Sequence, residues 1–143
     1  MSSRTLWRYL WAAPTTLLGV PFALTALLTG GRLERVDGVL EVQGGALGWL
    51  LRRCRIIGSG GITALTLGHI VVGRDERCLE SCRAHEHVHV RQCERWGLFF
   101  IPVYLTASLI AALRGRHFYH DNFFERDARR SVGSPRQHRS DLS

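Results

Sequence analysis

Residues 75–97, DERCLESCRAHEHVHVRQCERWG, decide the fold of this 143-residue chain. Asp75 is typical of a helix N-cap and Gly97 of a helix end, so we expect one long helix from about Glu76 to Trp96. Positions three and four residues apart share one side of a helix. One such stripe carries thiol and imidazole side chains: Cys78, Cys82, His85, His89 and Cys93.

The pattern His85-Glu86-His87-Val88-His89 is typical of a catalytic zinc site. His85 and His89 stand one helical turn apart, so both imidazoles can reach one zinc ion. Glu86 is rotated by about 100° around the helix, too far for a comfortable third bond to the metal. Its carboxylate is instead well placed to accept a proton from a water that zinc activates. We therefore predict two metal ligands and one general base.

This segment resembles the HExxH zinc metallopeptidases, the zincins. The resemblance is strong over residues 84–91 and loose over residues 62–128. It implies a Zn²⁺ cofactor and hydrolysis of peptide bonds by an activated water, with Glu86 as the catalytic residue. A β-rich segment precedes the helix, as in zincins, where an edge strand aligns the substrate. His87 departs from the family pattern, whose two central positions are usually uncharged.

Glu125, within NFFERDA at residues 122–128, is the candidate for a third ligand. In the gluzincin branch a downstream glutamate holds the metal, so the resemblance implies a ligand set of His85, His89 and Glu125. The alternative is structural, because Asn122 followed by glutamate three residues later resembles a capping box that needs no metal. A third histidine of the metzincin type is absent, since position 95 is arginine.

Two apolar segments suggest a membrane protein. Residues 9–30 carry no charge and exceed the roughly 20 residues that a transmembrane helix needs, so we expect a retained N-terminal membrane helix, with a signal peptide as the alternative. Residues 98–113 form a second apolar run. If that run crossed a bilayer, Glu125 would be separated from the histidines. The proposed ligand set therefore requires the run to fold back against the helix that carries His85 and His89.

The remaining segments predict an α+β fold. Residues 33–36 and 39–43 read as strands around Asp37-Gly38, a dipeptide that favours a two-residue type I′ turn. Residues 46–53 read as a short helix, and residues 62–72 as one strand with a bulge at Gly68. We expect an N-terminal segment (1–31), a zincin-like domain with a small antiparallel sheet (32–130) and a disordered basic tail (131–143).

Charge and cysteine usage restrict the functional classes. The net charge is +7, and all 19 basic residues are arginines. Anionic lipid or nucleic acid is conceivable as a partner, but no aromatic side chains interleave with the arginines of the tail, which disfavours nucleic acid. The four cysteines do not form a dense disulfide framework, and free thiols are expected.

The hypothesis that follows is a membrane-associated metallopeptidase of minimal bacterial form, located at the inner membrane, with membrane lipid and a peptide or protein substrate as partners. A non-catalytic membrane protein that retains a zincin-like metal-binding scaffold is the alternative, because a short chain leaves little material for a substrate cleft. A third hypothesis is an arginine-rich protein that docks on anionic lipid or nucleic acid.

Overall fold

The computed structural model describes residues 3–57 and 60–133. This part of the chain is an α+β domain, as predicted. Its helices and strands, in chain order, are α1 (Ser3–Leu28), β1 (Arg32–Val36), β2 (Val39–Gln43), α2 (Gly45–Arg53), β3 (Ala64–Leu67), β4 (Ile70–Gly73), α3 (Glu76–Trp96), α4 (Phe100–Leu113) and α5 (Phe123–Gly133). A short 3₁₀ turn, Gly97–Phe99, joins α3 to α4.

The sheet is mixed, so the prediction of a purely antiparallel sheet was wrong. Its strand order is β1-β2-β4-β3. The pairs β1–β2 and β3–β4 are antiparallel hairpins, whereas β2 and β4 run parallel. The reason is the connection through α2, which returns the chain across the sheet and lets two hairpins join side by side in parallel. Strand β3 is left at the edge of the sheet.

Of the two hairpin turns, the first was predicted correctly and the second was missed. Asp37 and Gly38 have φ values of 50° and 83°, the positive values that a type I′ turn requires, which confirms the predicted turn. The single strand predicted over residues 62–72 was wrong. Gly68, with φ of 64°, begins a turn that splits this stretch into β3 and β4. The glycine that was interpreted as a bulge is therefore part of a hairpin turn.

Helix α1 has one face packed on the domain and one face exposed. Ala23 and Ala26 join Val42, Ile70 and Val72 in a buried cluster between α1 and the sheet. Exposed apolar side chains cover the other face: Leu10, Leu17, Leu18, Leu24 and Leu28. By length and composition, Leu6–Leu28 and the continuous helical run Glu76–Leu113 are each long and apolar enough to cross a membrane.

Helix α4 turns back against α3 and α5. Phe100 of α4, Cys93 of α3 and Phe124 of α5 form one buried cluster. The apolar run 98–113 therefore does not separate α5 from α3. Helix α5 continues to Gly133, three residues into the stretch that was predicted to be disordered, and residues 134–143 of that predicted tail lie outside the described residues.

The turn at Gly68 yields a stability prediction. A Cβ atom at Gly68 would lie 2.5 Å from the backbone nitrogen and 2.7 Å from the Cα of Thr16 on α1. Gly115 has a similar φ of 69°, but nothing lies within 4 Å of its Cβ position. We expect Gly115→Ala to lower the free energy of unfolding by about 1–2 kcal/mol, the cost of left-handed backbone alone. Gly68→Ala should cost about 1–3 kcal/mol more through overpacking.

Denaturant unfolding of both variants in the same detergent measures this difference. Equal destabilisation by the two substitutions would contradict the close packing of the turn against α1.

Candidate metal centre

Two helices bring the predicted ligands together. His85 and His89 lie one turn apart on α3, and Glu125 lies in the first turn of α5. The Nε2 atom of His85 lies 3.1 Å from Oε2 of Glu125, and Nε2 of His89 lies 3.1 Å from Oε1 of the same carboxylate. The two Nε2 atoms lie 3.1 Å from each other. The carboxylate thus bridges the two imidazoles.

The spacing of these donor atoms fits a small divalent cation. Tetrahedral zinc with bonds of about 2.0–2.2 Å holds its ligand atoms about 3.4 Å apart. The two Nε2 atoms lie 3.1 Å apart, close to that value, and each lies 3.1 Å from one of the two Glu125 carboxylate oxygens. With one ligand atom taken from each residue, the three atoms lie within 4.8 Å of one another. Within the described residues, His85, His89 and Glu125 are the group of histidine, cysteine and acidic side chains that could hold a metal ion. Two nitrogens and one carboxylate form a donor set that suits zinc.

The capping of α5 and the contacts of the Glu125 side chain are made by different residues. Asn122 caps the helix, because its Oδ1 accepts a hydrogen bond from the backbone N–H of Phe124 at 2.8 Å. Its Nδ2 donates to the Tyr104 carbonyl and the Ser108 hydroxyl on α4, which ties the start of α5 to that helix. The Glu125 side chain is thereby free to point at the histidines.

Glu125 is buried and charged. Burial by itself favours the neutral acid, but the contacts with His85 and His89 and a hydrogen bond from Tyr104 hold the pKa of Glu125 well below its usual range. The Tyr104 hydroxyl donates to Oε1 at 2.8 Å. The carboxylate is therefore an anion aimed at the two imidazole nitrogens, as a metal ligand must be.

Glu86 lies on the side of α3 that faces β3. Its carboxylate is buried, and Oε2 accepts a hydrogen bond of 2.6 Å from the Thr66 hydroxyl. Glu86 also lines the same cavity as His85, His89 and Glu125. Thr66 therefore holds the Glu86 carboxylate, the predicted general base, at the wall of the cavity that contains the candidate ligands.

The cavity has a volume of about 810 Å³ and lies between β3, α3 and α4. Its walls are largely apolar, with Leu65, Leu67, Phe100, Ile101 and Leu105 among the lining residues. Tyr119 and His120, in the loop between α4 and α5, line it as well. Their backbone N–H groups donate hydrogen bonds to Nδ1 of His117 in the same loop. Burial raises the pKa of Tyr119, so its hydroxyl stays protonated.

His87 points away from this cavity and contacts the sheet. Its Nε2 lies 3.2 Å from Oε1 of Glu41, a buried carboxylate on β2. Arg83, one turn earlier on α3, binds the same carboxylate through Nε and Nη2, both at 2.9 Å. The unusual histidine inside the motif is thus part of a clamp between α3 and β2 and is not near the candidate ligands.

The cysteines of the α3 stripe do not join the metal centre. All four cysteines of the chain are free, as expected, and Cys78 and Cys93 are buried.

Three residues that matter for the site were missed from the sequence: Thr66, Gln92 and Tyr104. Gln92 lies one turn beyond His89 on the same face, and Tyr104 is a polar side chain within an apolar run, so both carried a weak signal.

Comparisons with models of protein families, with curated proteins and with solved structures found no match to this chain.

The geometry predicts which histidines the protein needs in order to bind zinc. We expect the purified protein to bind one zinc ion per chain, and His85→Ala or His89→Ala to weaken binding about 100-fold or more, because each removes one of only three protein ligands. His87→Gln is the matched control, since this side chain contacts Glu41 and can still donate to it. Elemental analysis and chelator competition measure the outcome.

Loss of zinc from His87→Gln together with retention in His85→Ala would contradict the assignment of the ligands.

Proposed function

We propose that this protein is a membrane-associated, zinc-dependent metallopeptidase that hydrolyses peptide bonds. The observation that carries the proposal is the convergence of His85, His89 and Glu125 from two helices, beside Glu86, at one end of a cavity of about 810 Å³. Two imidazoles and a carboxylate are the donor set of catalytic zinc sites, which leave a coordination position open. Sequence pattern and spatial arrangement thus support the same chemistry.

The roles of the side chains follow from their positions. His85, His89 and Glu125 would hold zinc, which supplies a Lewis acid and lowers the pKa of a coordinated water to about 7. Glu86 accepts the proton from the attacking water and returns it to the leaving amine. Thr66 keeps the Glu86 carboxylate against the cavity wall. The protonated Tyr119 hydroxyl is the candidate donor to the carbonyl oxygen as it gains negative charge.

Strand β3 supports binding of an extended peptide. It is one of the two edge strands of the sheet, paired on one side with β4, and Ala64, Leu65 and Thr66 line the cavity. An edge strand offers backbone N–H and C=O groups to a peptide that adds to the sheet. Because Thr66 on this strand also contacts Glu86, a peptide bound along β3 passes the proposed base.

The exposed apolar faces of α1 and α4 support association with a membrane. Leu105, Leu109 and Leu113 are exposed on α4, and a row of leucines is exposed along α1. Trp7 and Trp11 lie near the start of α1, where aromatic rings favour the membrane interface. We propose that these faces contact lipid hydrocarbon at the inner membrane of a bacterium.

Substitution of the proposed base tests the catalytic role. Glu86→Gln should lower peptide cleavage at least about 100-fold, because general acid–base catalysis contributes about 10²–10⁴ in rate, and should leave the zinc content unchanged. Glu80→Gln, an exposed position on the same helix, is the matched control and should keep full activity. Cleavage of a diverse peptide mixture by reconstituted protein, analysed by mass spectrometry, provides the measurement.

The same experiment tests the alternative of a metal-binding scaffold. A parent protein that binds zinc and cleaves no peptide, in detergent and in bilayers, would contradict the peptidase proposal and favour the scaffold.

Vesicle binding tests the membrane proposal. The protein should float with vesicles at about 1 M salt as well as at low salt, because burial of apolar faces does not depend on charge whereas arginine–lipid attraction is screened. Zwitterionic and anionic vesicles should bind the protein to the same extent. Release by salt, or binding restricted to anionic lipid, would contradict insertion of the apolar faces and favour docking through the arginines.

A further inference from the structure

Gln92 connects the candidate metal centre to helix α5. This side chain is buried on α3, one turn beyond His89. Its Oε1 lies 2.8 Å from Nδ1 of His89. Its Nε2 lies 2.8 Å from Oδ2 of Asp127 and 3.2 Å from the carbonyl oxygen of Phe124. One amide therefore contacts a candidate ligand on one side and two α5 acceptors on the other.

The two contacts with α5 determine which way the amide faces. A carboxylate and a backbone carbonyl only accept hydrogen bonds, so both must be served by the NH₂ group of Gln92. The amide oxygen consequently faces His89. Because that oxygen is an acceptor, Nδ1 of His89 must carry the proton.

A proton on Nδ1 leaves the other ring nitrogen of His89 as a lone-pair donor when the imidazole is neutral. That atom, Nε2, is the one that lies 3.1 Å from both Glu125 Oε1 and His85 Nε2. The ring is thus held in the tautomer and the orientation that a metal ligand needs. Histidine ligands of metal sites usually receive this support from an outer hydrogen-bond acceptor.

We propose that Gln92 is a positioning residue of the metal centre, which sets the tautomer and the ring orientation of His89 and is itself oriented by Asp127 and the Phe124 carbonyl. This inference rests on the metal site of the proposed function and does not depend on peptide cleavage. It also links the two ligand-bearing helices, since the α5 segment that supplies Glu125 orients the amide behind His89.

A set of substitutions separates positioning from simple packing. Gln92→Leu removes the acceptor for His89 at similar volume. Gln92→Glu combined with Asp127→Asn keeps an acceptor facing His89 and lets the new amide at position 127 donate to the second carboxylate oxygen, while the Phe124 carbonyl loses its donor. Asp127→Asn alone leaves Gln92 with two acceptors, the Phe124 carbonyl and the new amide oxygen, and serves as the control.

Zinc affinity is measured by competition with a chromophoric chelator, and thermal unfolding is followed on the metal-free proteins. We expect Gln92→Leu to weaken zinc binding about 10–100-fold. The paired exchange and the control should bind zinc nearly as tightly as the parent protein. If Gln92→Leu does not fold, the paired exchange decides: recovery of parental affinity supports the proposal.

Two results would overturn the inference: parental zinc affinity in Gln92→Leu with only a lower melting temperature, which assigns Gln92 to packing, or failure of the paired exchange to restore affinity. A parent protein that binds no zinc would overturn it together with the proposed function. Tight, Gln92-dependent zinc binding without peptide cleavage would overturn the peptidase proposal alone and leave this inference standing.

Discussion

The approach of the Glu125 carboxylate to two imidazole nitrogens is the constraint on which the architecture depends. Four atoms that carry lone pairs, the two imidazole Nε2 atoms and the two Glu125 carboxylate oxygens, are joined by separations of 3.1 Å inside the protein, where their repulsion is weakly screened. Such a cluster is stable only when a positive charge, either a proton or a metal cation, lies among these atoms. The helices that carry them must also be held firmly, because small shifts would separate the donors. The surrounding contacts serve this purpose.

Two sets of polar contacts hold the helices in place. On one side of α3, Arg83 and His87 bind the buried Glu41 carboxylate and fix the helix to β2. At the start of α5, Asn122 donates hydrogen bonds to the Tyr104 carbonyl and to the Ser108 hydroxyl on α4. Each buried side chain in these contacts finds partners, as buried polar groups must. The face of α3 that carries the candidate ligands is therefore positioned by contacts that lie outside it.

How far the sequence predicts this structure depends on whether a feature is local. The bounds of α3 follow from Asp75 and Gly97, which act within a single turn, and the first hairpin follows from Asp37-Gly38. The parallel pairing of β2 with β4 was missed, because it depends on where α2 returns the chain. The turn after β3 was missed as well, because a glycine inside a β-prone run is compatible with a bulge as well as with a two-residue turn, and Gly68 was interpreted as a bulge.

The same distinction applies to the site. His85, Glu86 and His89 could be selected because helical periodicity alone relates them. The proximity of Glu125 depends on the return of α4, which composition does not determine. Tyr104 and Thr66 contact the site only after α4 and β3 have packed against α3. Residues that support a site from other elements are therefore the ones that a single sequence is least able to reveal.

The packing of α1 has a consequence for the position of the cavity. Ala23 and Ala26 of α1 are part of the same buried cluster as the β-strand residues Val42 and Ile70, and Thr15 donates a hydrogen bond to the Gly97 carbonyl at the end of α3. Because α1 packs into the core of the domain, it does not move independently of the cavity. If α1 lies in lipid as proposed, the cavity that contains the candidate ligands keeps one fixed depth relative to the bilayer, and only molecules that reach that depth can enter it.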